Sequence, residues 1–445
     1  MLLDLIYLVV FVALLPWIAW RRWSGGRPVA APWMRFTGGI TPLPRRKAGV
    51  SRIWLHGVSV GEIQLLSSLA REIDAQAGAA GIAVEFVVSS STTTGLDLAA
   101  KRFGNAVVFP CPLDFTWAVR RVHGAVDADL LVLGELELWP HLLAGAWQRR
   151  LPVIVANGRL SQRSFRGYRR AAPLVRRMLT RVTLVSARSA ADADRFRALG
   201  APHVVAAGSM KFDGVRGDRQ HEDVRRLARL AGFQDDDVVF LAGSTQAPEE
   251  ALAIDAYRAA AADHPRLRLV IVPRHVERKA EIVALLDGSG LAWQARSTLD
   301  TEGAAPDTRV LLVDTTGELG AWWGTATIAF VGGSLDGRRG GQNMLEPAAY
   351  GAAVCFGPHT RNFVDEVAVL LAADAARVIA DGPGLAMFVR ACLDDPRAGR
   401  ALGARAAGTV AAHRGATAAT AERILATLSA TADGAEGCPG PLESG

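Results

Sequence analysis

A short apolar run at residues 53–56 leads into His56-Gly57-Val58-Ser59-Val60-Gly61-Glu62, and an amphipathic stretch follows. The glycines allow a sharp bend and close approach of a ligand. Glu62 falls in the first turn of the following helix, where the helix dipole favours a carboxylate. It is placed either to cap that helix or to take a proton from a substrate. A second acidic pair, Glu135 and Glu137, follows the apolar run Leu130–Gly134 within Glu135-Leu136-Glu137-Leu138-Trp139-Pro140. This is either a solvated edge or part of the same site. Asn157-Gly158-Arg159-Leu160-Ser161 ends the next run, and Arg163, Arg166, Arg169 and Arg170 follow it. Those cations form either a charged outer face or a seat for a phosphorylated or membrane-bound acceptor.

The second half repeats one chemistry at successive strand ends. Gly243-Ser244-Thr245, Pro273-Arg274-His275, Gly332-Gly333-Ser334 and Gly357-Pro358-His359 each follow an apolar run, and Gly340-Gly341-Gln342-Asn343-Met344-Leu345-Glu346 lies between the last two. Glycines expose backbone N–H groups, and helix starts add a favourable dipole for phosphate. Glu346 has the acceptor capacity to bind ribose hydroxyls. Together these residues describe a nucleotide phosphate–ribose site.

Other chemistries find no support. There is no G-x-x-x-x-G-K-[ST] or G-x-G-x-x-G pattern, and the histidines show no metal-ligand spacing. The pairs Asp127–Asp129, Asp192–Asp194 and Asp235–Asp237 lie away from the carboxyl ends of strands, which argues against a metal role. Cys111, Cys355, Cys392 and Cys438 form no CxxC and read as free thiols in a reducing compartment.

Alternating strands and helices must position these residues. Strands are predicted at 53–56, 84–88, 106–109, 130–134, 152–156, 182–186 and 204–206, then at 238–242, 267–272, 310–313, 327–331 and 352–356. Short Val-, Ile- and Leu-rich runs separated by amphipathic helices predict parallel sheets covered on both faces. The 445 residues suit two domains of about 100–200 residues each. The reading is a membrane anchor at 1–23, a first Rossmann-like domain at 24–213, a linker at 214–223, a second Rossmann-like domain at 224–431 and a disordered tail at 432–445.

The segment 1–20 carries Asp4 as its only charge and is about as long as the roughly 20 residues a bilayer core requires. Trp17, Trp20 and Trp23 cluster at its far end. Arg21, Arg22, Arg27, Arg35, Arg45, Arg46 and Lys47 follow with no acid before residue 50. By the positive-inside rule the remainder of the chain stays cytoplasmic. The net charge of +6 fits an acidic substrate or an anionic inner-membrane surface better than nucleic acid.

These motifs in this order resemble the Kdo (3-deoxy-octulosonic acid) transferases of lipopolysaccharide synthesis. The matching stretches are HGVSVGE (56–62), SSSTTTG (89–95), ELELWP (135–140), NGRLSQRSFRGY (157–168), MKFD (210–213), AGST (242–245), VPRH (272–275), DTTGELG (314–320) and residues 330–363. The resemblance implies an α/β chain of GT-B class, with two Rossmann-like doubly wound domains facing a cleft and an amino-terminal anchor helix. It implies transfer of Kdo from CMP-Kdo to a lipid A precursor by inverting displacement, with no metal or cofactor. Glu62 matches the family's general base. Arg274, Gly332, Gly333, Ser334, Asn343 and Glu346 match donor-binding positions, with Ser244 and Lys211 as further donor contacts. Glu137, Ser59 and Arg159 fall on the acceptor side. Another GT-B enzyme using a different nucleotide sugar on a lipid acceptor is the alternative. The sequence departs from the family at Gly57, Leu136, Gln246, Gln342, Met344 and Ser186–Ser189, where donor contacts and acceptor preference are expected to differ.

Overall fold

The structure is a computed structural model that describes residues 2–23, 32–40, 43–44 and 48–436. The calls on Arg27, Arg45, Arg46, Lys47, Cys438 and the rest of the 437–445 tail lie outside the described residues, as do the side chains of Trp17, Arg21, Arg22 and Trp23. The chain forms two compact units, Met1–Gly214 with Arg414–Gly445, and Val215–His413.

Unit 1 holds a sheet of β1 (Val50–Gly57), β2 (Ala83–Ser90), β3 (Val107–Pro110), β4 (Leu130–Gly134), β5 (Val153–Gly158), β6 (Leu184–Ala187) and β7 (Val204–Ala206). Their order is β3-β2-β1-β4-β5-β6-β7, and every pairing is parallel. Helices cover both faces, so β4 is buried along its whole length and reads as an unbroken apolar run rather than an alternating one. Val119, Val122, Leu142, Leu143, Val175 and Met178 pack from helices on one face. Ile63, Leu66, Leu69 and Ile73 of the helix Val60–Ala79 pack in the other core cluster.

Unit 2 holds β8 (Val238–Thr245), β9 (Leu267–Pro273), β10 (Trp293–Ala295), β11 (Val310–Leu312), β12 (Ile328–Val331), β13 (Ala353–Phe356) and β14 (Arg377–Val378). The order is β10-β11-β9-β8-β12-β13-β14, again all parallel. The short edge strands β10 and β14 were not anticipated. Two or three residues leave too little periodicity to read, and their neighbours define them.

Two domain boundaries need correction. The stretch 214–223, expected as a linker, belongs to unit 2 from Val215 onward. The Arg219 guanidinium donates to the carbonyls of Tyr350 (2.7 Å), Gly324 (2.8 Å) and Ala326 (2.7 Å). The second domain, expected to run to 431, ends near His413. The helix Ala416–Glu436 belongs to unit 1, where Ala421, Ile424, Leu425 and Leu428 join the core beside Ile63, Leu66 and Leu69. Asp213 fixes its start by accepting from the N–H groups of Gly415 and Thr417, both at 2.6 Å. An amphipathic pattern shows that a helix covers something; it does not say what.

The amino-terminal helix Leu2–Trp23 docks by one face on unit 1. Asp4 accepts from the Thr116 N–H and hydroxyl at 2.8 Å each, the Tyr7 hydroxyl donates to Asp114 (3.4 Å), and Phe11 stacks on Phe36 with ring centroids 5.1 Å apart. Leu5, Val9, Val12 and Trp20 are exposed. Among the described residues no helix is long and apolar enough to cross a membrane.

Ile424, fully buried against the helix Val60–Ala79 core, provides a test of the reassigned helix. Ile424→Ala is expected to destabilise unit 1 by about 2–5 kcal/mol, read as a lower urea midpoint for a probe in unit 1 with the unit 2 transition unchanged.

Candidate active site

In each sheet the order reverses beside the strand that starts it. The helix after β1 leads to β2, and the connection after β3 returns to β4 on the other side of β1. Crevices open at the carboxyl ends of such strand pairs. The motif residues collect there, at β1/β4 in unit 1 and at β8/β12 in unit 2.

In unit 1, Ser59 is the N-cap of the helix Val60–Ala79, and with Glu62 it forms a capping box. The Glu62 carboxylate accepts from the Val58 N–H (2.9 Å), the Ser59 N–H (3.3 Å) and the Ser59 hydroxyl (2.7 Å). The capping role is therefore real. The side chain stays half-buried, so a substrate can reach it. Gly57 makes room: a Cβ there would sit 3.1 Å from the Glu62 Cβ.

The acids after β4 join this group and are no solvated edge. Glu135 adopts a left-handed backbone (φ 54°). Burial raises its pKa; Lys211 opposes the rise, Glu62 adds to it, and Arg159 and Arg188 oppose it. Glu137 accepts from the Trp139 indole N–H at 2.8 Å. Burial pushes its pKa up to about 7, with Glu62 and Glu135 adding repulsion and the Trp139 bond pulling the other way. One electrostatic group thus contains three carboxylates and the cations Lys211, Arg159 and Arg188. Lys211, expected on the donor side, lies in unit 1 and faces Glu135.

The surrounding motifs build the frame. Asn157 (φ 55°) accepts from the Met210 N–H at 3.0 Å, which ties the MKFD segment to β5. Asp192 accepts from the Leu160 N–H (2.9 Å), the Ser189 hydroxyl (2.7 Å) and Arg188 (3.3 Å). Asp129 accepts from the Arg52 N–H at 2.7 Å, and Asp237 pairs with Arg268 at 3.1 Å. The Asp-x-Asp pairs therefore act in the scaffold.

In unit 2, Arg274 follows β9, is exposed, and its guanidinium meets no acid among the described residues. Its N–H donates to the Thr245 carbonyl at 2.9 Å, which fixes the loop to the end of β8. Ser244 is buried with φ 54°. Asn343, just before the short helix Leu345–Ala349, accepts from the Leu345 N–H (3.1 Å), and its amide donates to Glu346 (3.0 Å). Burial raises the pKa of Glu346 while the bonds from Asn343 and Trp323 oppose the rise. The expected phosphate cradle differs from its sequence reading. The Gly333 and Ser334 N–H groups donate to the buried carboxylate of Glu249, and the Ser334 hydroxyl donates to the Val331 carbonyl. Sequence reasoning missed Glu249; its position in the first turn of the helix Glu249–Ala261 makes it look like an ordinary helix-dipole acid. In the DTTGELG motif, Asp314 pairs with Lys279 (2.6 Å) and Glu318 with Arg296 (2.9 Å), so these acids also serve the frame.

Comparisons with known proteins agree with this geometry. Residues 34–214 match the family model described as 3-deoxy-D-manno-octulosonic-acid transferase (kdotransferase). The chain is 31% identical over 435 residues to a 3-deoxy-D-manno-octulosonic acid transferase of Bordetella pertussis, covering 94% of this chain and 98% of that one. The chain belongs to the Kdo transferase family. A Haemophilus influenzae Kdo transferase is 33% identical over 314 residues, covering 70% of this chain and 71% of its relative. A UDP-GlcNAc 2-epimerase from Neisseria meningitidis, solved with UDP-GlcNAc bound, superimposes with a TM-score of 0.56 at 12% identity. It covers 85% of this chain and all of that one, a likeness that shows the fold alone. Membership makes the chain a glycosyltransferase, and the two parallel α/β sheets are those of the expected GT-B class.

Glu137 gives a pH test. Its folded pKa of about 7 lies above the unfolded carboxylate value of about 4.3. The folded state therefore binds the proton more tightly, and stability is lost as pH rises from about 4.3 through 7. Glu137→Gln removes that loss. Its melting temperature relative to wild type is expected to be higher at pH 8 than at pH 4.5; the same offset at both pH values would contradict the assignment.

Proposed function

We propose that the chain transfers Kdo from CMP-Kdo to a lipid A precursor, with inversion at the ketosidic carbon. The observation that carries this reading is Glu62, a reachable carboxylate held by its own turn at the β1/β4 crevice of a Kdo transferase family chain. The acceptor hydroxyl oxygen attacks the ketosidic carbon, and its proton passes to Glu62. The bond from that carbon to the phosphate oxygen breaks, and its electron pair leaves with CMP. The step uses no metal. Ser59 orients the base through its hydroxyl, while Glu137 and Arg159 serve the acceptor side. Arg274, with no acid partner among the described residues, receives the phosphate dianion. Asn343 and Glu346 take the ribose, with Ser244 as a further donor contact. General-base transfer is worth roughly 10²–10⁴-fold in rate, and charge stabilisation by fixed groups accounts for much of the remainder.

The proposed setting is the cytoplasmic face of the inner membrane, with residues 1–23 as the anchor. Two features support it. The helix Leu2–Trp23 turns Leu5, Val9 and Val12 outward. The helices Gln162–Arg170 and Ala172–Leu179 carry exposed Arg163, Arg166, Arg169, Arg170, Arg176 and Arg177, and none forms an ion pair among the described residues. An anionic lipid surface attracts such a cluster.

Transfer from CMP-Kdo to tetraacylated lipid A precursor, read by mass spectrometry, tests the reaction. Glu62→Gln is expected to lower kcat by roughly 10²–10⁴-fold with CMP affinity unchanged in calorimetry. Arg274→Ala is expected to weaken CMP instead. Transfer from UDP-sugars, with CMP-Kdo ignored, would favour the alternative donor. Co-sedimentation with vesicles containing anionic lipid tests the setting: binding is expected to fall at high salt when Arg163, Arg166, Arg169 and Arg170 are changed to Ser less than it does for wild type.

A further inference from the structure

The turn after β12 is shaped to bind an anion, and the protein fills it with its own. Gly333 takes a left-handed backbone (φ 65°), which makes the N–H groups of residues 333–335 converge in an anion-binding nest. Glu249, only 3% exposed, reaches in from the start of the helix Glu249–Ala261. Its carboxylate accepts from Gly333 (2.7 Å), Ser334 (3.0 Å) and Leu335 (3.2 Å), and from the Gln246 N–H (2.9 Å). Gly332 is required for this approach. A Cβ there would lie 2.7 Å from the Glu249 carboxylate and 2.6 Å from the Thr245 Cα. The Ser334 hydroxyl is equally committed, donating to the Val331 carbonyl (2.6 Å) and accepting from the Gly357 N–H (2.8 Å).

The same turn sets the next functional segment. The Gly333 carbonyl accepts from the Gly341 N–H at 2.7 Å, and Gly341 leads into Gln342, Asn343 and Glu346. Gln246, whose N–H also bonds Glu249, lies against Gly333 with its side-chain amide: a Cβ on Gly333 would meet that amide nitrogen at 3.2 Å and the Gln342 amide nitrogen at 3.4 Å. Buried Gln246 keeps a carbonyl oxygen without a partner among the described residues.

We infer that Glu249 is a positioning residue that stands in for phosphate in the Gly332–Leu335 nest. It locks the ends of β8 and β12 together and sets Gln246, Gln342, Asn343 and Glu346 for the nucleotide donor. The donor phosphate is therefore read by Arg274 and its neighbours, not by the glycine turn. This rests on the reading of unit 2 as the CMP-Kdo site. A second anion cannot share the nest, because two like charges at hydrogen-bond distance repel strongly in a buried site.

Amide hydrogen exchange on the full chain, with and without CMP, tests the filled nest in wild type. The amides of 333–335 are expected to be protected equally in both; protection that arises only with CMP would mean that phosphate fills the nest and would overturn the inference. Glu249→Gln, which replaces one acceptor oxygen by an amide facing N–H donors, is expected to speed exchange across 332–346. It is also expected to weaken CMP binding by roughly 10- to 100-fold, while the exchange of unit 1 stays as in wild type. Glu249→Asp, which keeps the charge and loses reach, is read by the same criteria and decides the matter if the Gln variant does not fold. A folded variant with faster exchange but wild-type CMP affinity would reduce Glu249 to a structural clasp. If wild type binds no CMP at all, the donor assignment fails, while protection of 333–335 still reports whether Glu249 fills the nest.

Discussion

Crossover connections between parallel strands are right-handed, so the direction in which the chain winds decides which face each helix covers. Both sheets start at a central strand, wind outward to one edge and return to wind toward the other. The loops after β1 and β4 therefore diverge, as do those after β8 and β12. The helices after β1 and β8 start beside these gaps, and their first N–H groups need acceptors. Glu62 and the acids after β4 lie at the first gap, and Ser244 and the Gly332–Leu335 turn at the second.

Each unit meets that need with a carboxylate from the first turn of the helix after its first strand, Glu62 in one and Glu249 in the other. The two groups accept similar bonds but differ in surroundings. Glu249 is sealed beneath the turn it organises. Glu62 accepts from its own turn and stays half-exposed, with Glu135 and Glu137 close enough to feel its charge. Burial separates a group sealed into its own turn from one that stays within reach of solvent.

The parallel α/β class was legible because strands buried on both faces are runs of Val, Ile and Leu, and because glycines and small hydroxyls mark where those runs end. Glu62, Ser59 and Arg274 stood out as candidates for the same reason, each following closely on a strand end, while Asn343 and Glu346 stood out within the glycine-rich segment between β12 and β13. Glu249 did not, since an acid at a helix start looks the same whether it faces water or a buried nest. Arg219 was misread because polar, glycine-bearing chain looks like a linker until its guanidinium finds three carbonyls. The ownership of the helix Ala416–Glu436 depends on an apolar face some 350 residues earlier in the chain, a distance that no local pattern spans.

That last helix has a consequence for how the protein is made. The helix Val60–Ala79 offers its outer apolar side chains to a partner that a ribosome releases only after the whole of unit 2. During synthesis the first sheet must wait, one flank bare, while the second sheet emerges and folds. The nascent chain thus carries an uncovered apolar surface for most of its translation.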